Sequence, residues 1–224
     1  MLNAKVSAQQ ALVHQQNADL LSSIGYAERI QQAVPPSGDA LQELIPGSFV
    51  LHRSKDIVSG ARHCFGVRGG RLVLIAADRT GRGVPGALPT LIGASIFQEL
   101  FHERGLSRPG ELLANACTAL ASALGTDEEE AVPQDGMNAA VVPLHREARK
   151  LTHACAFAPL LLMRHGELLA FKGDRMPVGH ASGEVKVFEQ VEVELLSVDQ
   201  NFPFSDGIED QFGGPNGKRF VLPV

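Results

Sequence analysis

The chain has 224 residues, of which 44% are hydrophobic and 20% charged, and its formal net charge is −5. This composition is typical of a soluble globular protein and excludes disordered, collagen-like and membrane-inserted chains. The acidic balance argues against a nucleic-acid partner, because nucleic-acid binders neutralise phosphates with Lys and Arg. The length fits one large domain, or one domain with an appendage.

Residues 1–33 contain no proline and a single glycine, and they are followed by Pro35 and Pro36. Since proline cannot continue a helix, this segment predicts one long helix. A narrow apolar seam with a seven-residue spacing runs along it through Val6, Val13, Leu20, Ala27 and Val34. The complementary heptad positions are polar, so two interpretations stay open: a modest dimer contact, or a helix lying on its own domain. We therefore divide the chain into a dimerisation or linker segment, 1–36, and a main domain, 37–224.

The main domain reads as strands, then two helices, then strands. Strands are predicted at 48–53, 71–78, 137–145, 150–157, 158–171 and 184–196, with tight turns at 68–70 and 164–166. Helices are predicted at 85–103 and 108–124 as a packed pair, the second with Pro109 in its first turn. An acidic, turn-rich loop is predicted at 126–136. This order predicts an α+β domain or a layered α/β/β/α domain.

Three cysteines, Cys64, Cys117 and Cys155, are an odd number at wide spacing. They predict neither a disulfide framework nor a paired CxxC metal site, and we expect them to be reduced and mostly buried. The first residues also lack the apolar block of a signal peptide, so the expected location is the cytoplasm.

From 53 to 82 the chain carries seven basic and two acidic residues. A solvated face and an anion-attracting surface both account for this segment.

Two aspartates stand beside flexible backbone. Asp78 closes an apolar strand and is followed by a glycine-rich segment, and Asp206 precedes Gly207. Carboxylates at such places suit hard cations such as Mg²⁺ and Mn²⁺, although ordinary turn chemistry also explains an aspartate before a turn. Eight histidines are scattered without an i, i+4 pair, which argues against a histidine-based zinc site.

Six sequence blocks, in order from residue 24 to 220, carry a resemblance. They are IGYAERIQQAVPPS, SFVLHRSKDIVSG, AADRTGRGVPGALPTLIG, DGMNAAVVPL, GELLAFKGDRMPVG and SDGIEDQFGGPNGKRF. In these blocks the chain resembles the SpoIIE-like bacterial serine phosphatases of the metal-dependent PPM superfamily. The resemblance implies two antiparallel sheets flanked by helices, a binuclear Mn²⁺ or Mg²⁺ site between the sheets, and cytoplasmic phosphoserine/threonine signalling. It also implies a preceding helix that controls dimerisation and activity.

The resemblance assigns roles to three residues. Asp78 would be the carboxylate that bridges both metals, the backbone carbonyl of Arg79 a second ligand, and Asp206 a further metal ligand. In the family these metals activate a water that attacks phosphorus in line. Asp78 and Asp206 are therefore the candidate catalytic residues.

Other family positions are altered in this chain. Ala61 and Arg62 stand where the family has an acidic residue and an aromatic, and Arg82 stands where the family has histidine. The family continues to a final strand with an Asp-Asp metal motif, whereas this chain ends at Val224. Two carboxylates could hold one weakly bound ion, but two adjacent dications need more anionic ligands.

We also hypothesise that Arg62 or Arg82 reaches Asp78 and supplies the charge balance once supplied by metal. On that hypothesis Asp78→Asn lowers stability even in chelator. A sheet edge left without the final strand would need cover, and Pro203 predicts an edge or bulged strand.

Two functions follow. The first is a signalling pseudophosphatase that binds a protein partner or forms a homodimer, with a variant in which the basic segment docks a phosphoprotein without cleaving it. The second is an active Mn²⁺- or Mg²⁺-dependent phosphoserine/threonine phosphatase.

Overall fold

The computed structural model describes residues 2–34, 38–79, 81, 83–125, 136–145, 149–179, 187–208, 212–213 and 217–218. Its helices are α1 (Leu2–Ala33), α2 (Gly38–Leu44), α3 (Val84–His102) and α4 (Pro109–Leu124). Its strands are β1 (Ala61–Arg68), β2 (Arg71–Arg79), β3 (Met137–His145), β4 (Lys150–Ala156), β5 (Leu160–Arg164), β6 (Glu167–Phe171), β7 (Val191–Glu194) and β8 (Gln200–Pro203).

The strands form two antiparallel sheets. The large sheet has the order β1-β2-β3-β4-β7, and the small sheet has the order β6-β5-β8. Helices α3 and α4 pack on one face of the large sheet, and the small sheet packs on the other face. The α+β prediction is confirmed. Pro203 lies in β8, an edge strand of the small sheet, as its missing N–H requires.

The main core lies between the helix pair and the large sheet. Phe97 and Leu100 of α3, Leu112 and Leu120 of α4, and Val141 of β3 are each at most 1% exposed. Burial of side chains of this size contributes about 1.5–3 kcal/mol each. The predicted helix pair, with Pro109 in the first turn of α4, is confirmed.

Glycine allows one close approach in this core. A Cβ on Gly93 of α3 would lie 2.8 Å from Cε of Met137, so a larger residue here would require the Met137 side chain to shift.

Both predicted tight turns join hairpins. Gly69 and Gly70 have φ of 57° and 75° between β1 and β2, and His165 and Gly166 have φ of 50° and 84° between β5 and β6. Positive φ at both central residues is the geometry that matches the twist of paired strands. The first of these turns sets the register that places Ala61 opposite Asp78.

The strand predicted at 48–53 is wrong. Residues 48–53 form no strand, and Phe49 and Leu51 are 66% and 73% exposed. The first strand is instead β1, whose sequence shows no regular apolar alternation but whose eight residues all pair with β2. Of the strand predicted at 184–196, the structure has only Val191–Glu194, while 184–186, like the loop residues 126–135, lie outside the described residues.

Helix α1 contacts the domain through its C-terminal end. The Gln31 side chain donates from Nε2 to the Ser59 carbonyl at 2.6 Å, and Oε1 accepts from the Ser59 backbone N–H at 2.9 Å. The rest of the predicted seam is exposed, with Val6, Val13 and Leu20 47–59% accessible. No helix in the described part of the chain is long and apolar enough to cross a bilayer.

Candidate metal centre

Asp78 and Asp206 meet between the two sheets. Asp78 lies near the end of β2 in the large sheet, and Asp206 follows the end of β8 in the small sheet. Their carboxyl groups are in hydrogen-bonding contact, and both line a cavity of about 340 Å³. Asp78 is half-buried, whereas Asp206 is exposed at the open side. The structure thus brings together two residues that are 128 positions apart in sequence.

The pair carries an electrostatic signature. Burial first, and then the hydrogen bond to Asp206 and its negative charge, raise the pKa of Asp78 to about 7. Hydrogen bonds from Ser205 and from the Arg79 backbone act in the opposite direction. Two carboxyl groups this close share a proton unless a cation neutralises them. Such a perturbed acidic pair in a cleft is a candidate for cation binding.

Backbone oxygens converge beside the pair. A Cβ added to Gly60 would lie 3.0 Å from the Arg79 carbonyl oxygen, 3.3 Å from the Gly81 carbonyl oxygen and 3.8 Å from Oδ1 of Asp78. Three oxygens therefore face one small space, and a side chain at position 60 would crowd the Arg79 carbonyl oxygen. Oxygen donors of this kind are the ligands of Mg²⁺ and Mn²⁺. These residues fit one divalent cation held by Asp78, Asp206 and the Arg79 carbonyl.

A second cation does not fit the residues described. Ala61 pairs directly with Asp78 across the β1–β2 ladder, and Asn138 pairs with Asp78 from β3. An acidic side chain at position 61 would have its Cβ about 4.5–5.5 Å from that of Asp78, and alanine provides no ligand there. In the described ranges no three His, Cys, Asp or Glu side chains come together in a metal-binding group.

Arg62 does not balance the charge of Asp78, and that hypothesis is wrong for this residue. Arg62 pairs with Ala77, so its side chain points to the face of β1 opposite to that of Asp78. Its buried guanidinium donates to the backbone carbonyl of Gln31 at the end of α1. Arg82, like Thr80 and Asp135, lies outside the described residues.

None of the basic residues that the structure describes in the segment 53–82 lines the cavity. Arg68 donates to the carbonyl of Phe101 and Arg71 to the hydroxyl of Ser107. The cavity lining consists of Ala76, Ala77, Asp78, Asn138, Phe157, Ala158, Pro159, Phe204, Ser205 and Asp206. Of these, our sequence analysis missed Asn138, Phe157 and Ser205 as site residues. Their only local signals were the strings that contain them: DGMNAA for Asn138, SDG for Ser205 and residues 156–159, AFAP, for Phe157.

The chain matches known proteins in sequence and in fold. The family model described as Stage II sporulation protein E (SpoIIE) matches residues 68–222. The SiaA-PP2C domain of Pseudomonas aeruginosa is 26% identical, with a TM-score of 0.79 over 92% of this chain and 80% of that one. A comparison with curated proteins gave no significant match.

Two further structures share the fold at lower identity. The PP2C phosphatase domain of SpoIIE from Bacillus subtilis, solved with a fragment of its regulatory domain, is 15% identical. Its TM-score is 0.58 over 71% of this chain and 44% of that one. RsbX in complex with magnesium is 12% identical, with a TM-score of 0.54 over 70% of this chain and 71% of that one. The chain belongs to the SpoIIE family, and its fold is that of the PPM, or PP2C-like, phosphatases.

Proposed function

We propose that this chain is a signal-transduction pseudophosphatase: it has the phosphatase fold, binds a protein partner and hydrolyses phosphoesters weakly or not at all. The observation that carries the proposal is the row Ala61, Asp78 and Asn138 across the large sheet, in which the neighbour of the key carboxylate is a methyl group.

The chemistry of the reaction gives this substitution its weight. In-line attack on phosphorus by a two-metal site needs both ions, one to activate the water and both to neutralise the developing charge. Two dications at short range repel strongly, and anionic ligands must offset that repulsion. Asp78 and Asp206 are the carboxylates that line the described cavity, so the site supports one Mn²⁺ or Mg²⁺ ion at most.

The same structure supports a protein partner. Helix α1 presents an exposed apolar seam beyond its docked end, which suits a second copy of the chain or a partner helix. We propose residues 1–36 as this dimerisation or linker segment and 37–224 as the phosphatase-like domain. The three cysteines are buried and form no disulfide, which suits a reducing compartment, so we place the protein in the cytoplasm.

The alternative is an active Mn²⁺- or Mg²⁺-dependent phosphoserine/threonine phosphatase. It is favoured by Asp78 and the Arg79 carbonyl, which face one space, and by the contact of Asp206 with Asp78. RsbX, which shares the fold, was solved with magnesium. In this alternative a bound ion would lower the pKa of a water, and Asp78 and Asp206 would hold that ion at the junction of the sheets.

Hydrolysis separates the two functions. The chain and Asp78→Ala are assayed with p-nitrophenyl phosphate and a phosphoserine peptide, in Mn²⁺, in Mg²⁺ and in chelator. The pseudophosphatase proposal expects no hydrolysis above the variant in any condition. A metal-dependent rate that is lost both in chelator and in Asp78→Ala would overturn it and establish the alternative.

A further inference from the structure

We propose that the cavity between the sheets receives the cationic end of a lysine or arginine side chain from the protein partner. This inference rests on the proposed function, since it gives the inherited catalytic cavity a binding role. It names a ligand of opposite charge to the phosphate group that the fold resemblance implies.

The charge of the cavity lining favours a cationic ligand. Asp78 and Asp206 are the acidic residues of the lining, Asn138 and Ser205 are neutral and polar, and none of the described lining residues is cationic. A phosphate group entering alone would meet two carboxylates without a compensating charge. An ammonium or guanidinium group would instead form charge-assisted hydrogen bonds with them.

The size and the apolar walls of the cavity suit the side chain of lysine or arginine. The volume of about 340 Å³ lies within the range of small-ligand pockets and far exceeds that of one metal ion. Apart from its four polar residues the lining is apolar, with Ala76, Pro159 and Phe204 among its walls. Lysine and arginine have an apolar stem below the charged head, and that stem packs on such walls.

Phe157 adds an aromatic side chain to the cavity lining. This lining residue is 49% exposed, although its backbone has a φ of 55°, which is uncommon for a bulky residue. Two bonds hold this backbone: Phe157 N–H donates to the Asp174 carbonyl at 2.8 Å, and Ala158 N–H donates to the Ala156 carbonyl at 2.6 Å. An aromatic face fixed beside an acidic pair binds a cation through the quadrupole of the ring.

The test uses three small probes on the full chain in chelator, followed by NMR: N-acetyl-lysine methylamide, N-acetyl-arginine methylamide and the uncharged N-acetyl-norleucine methylamide. The lysine and arginine probes should shift the signals of cavity residues saturably, and the norleucine probe should not. Asp206→Asn should weaken this binding about tenfold, as expected for a charge-assisted hydrogen bond. Phe157→Ala should weaken it about fivefold, and Phe157→Leu, which keeps an apolar side chain, should weaken it similarly.

Phe49→Ala is the matched control, because Phe49 is also an exposed phenylalanine but does not line the cavity. Binding should be unchanged in this variant, and Mn²⁺ should compete with the cationic probes. No saturable shift with either cationic probe would overturn the inference, as would binding that survives Asp206→Asn and both Phe157 variants. Equal binding of norleucine would also overturn it.

Hydrolysis of p-nitrophenyl phosphate in Mn²⁺, measured on the same preparations, keeps the two proposals apart. Hydrolysis together with probe binding refutes the pseudophosphatase and leaves the cation site standing. Absence of both refutes only the cation site.

Discussion

Removing the charge of Asp78 should stabilise the chain in chelator. The ionised carboxylate of Asp78 faces that of Asp206, and no described cationic side chain contributes to its pKa. A pKa raised from 3.8 to about 7 costs at most about 4 kcal/mol when the group is ionised. Because Asp78 is only half-buried, solvent screening reduces this to about 1–2 kcal/mol. Asp78→Asn should therefore raise the unfolding midpoint by about 3–6 °C at pH 8.

The pH dependence of the stability tests the same effect of Asp78 in a second way. A carboxyl group whose pKa is raised by folding stabilises the folded state at low pH, and that contribution is lost as the pH rises through about 7. Urea unfolding followed by circular dichroism, from pH 5 to 8 in chelator, measures this loss. The loss should be smaller in Asp78→Asn and unchanged in Asp19→Asn, an exposed control on α1.

A lower stability of Asp78→Asn at pH 8 in chelator would refute this reasoning. It would mean that a cation of the chain balances Asp78, as our sequence hypothesis held.

Three further outcomes test other parts of the structure. Gln31→Ala leaves the buried N–H and carbonyl of Ser59 unpaired and should lower the free energy of unfolding by about 2–3 kcal/mol, measured by thermal unfolding. The control, Gln10→Ala on the exposed part of α1, should leave it unchanged. Equal effects of the two substitutions would contradict the docking of α1. Ala61→Asp places a carboxylate beside Asp78 and should raise the Mn²⁺ affinity at least about tenfold by calorimetry, and an unchanged affinity would count against the row of residues described above. Burial lowers the pKa of His153 to about 4, so the wild type should lose stability as the pH falls from 6.5 towards 4. His153→Leu should lose about 2–3 kcal/mol less over that range. Parallel stability curves for the two proteins would contradict the assignment of this loss to His153.

Local patterns were sufficient for most of the architecture. The helix pair and the two hairpin turns follow from apolar periodicity, proline and paired residues suited to positive φ, all of which act within a few residues. Strand β1 escaped prediction because its sequence, ARHCFGVR, lacks a regular alternation of apolar and polar residues, and its stability comes from pairing with β2. The apolar residues at 48–53 found no such partner, so their pattern was misleading.

The candidate site was only partly predictable for the same reason. Asp78 and Asp206 were singled out from short strings, but their contact depends on how the two sheets pack. Asn138 joins the site only through the β2–β3 register, and Arg62 leaves it because the β1–β2 register turns its side chain to the other face. The β1–β2 register follows from the turn at 68–70, but the β2–β3 register and the packing of the two sheets join segments far apart in sequence, which local patterns do not specify.

We propose that this cavity holds at most one divalent cation. The most direct measurement is a calorimetric titration of Mn²⁺ into the chain, with Asp78→Asn as the control. We predict that at most one Mn²⁺ ion binds per chain, that it binds weakly, and that this binding is lost in Asp78→Asn. Two bound ions per chain, or binding that survives Asp78→Asn, would contradict it.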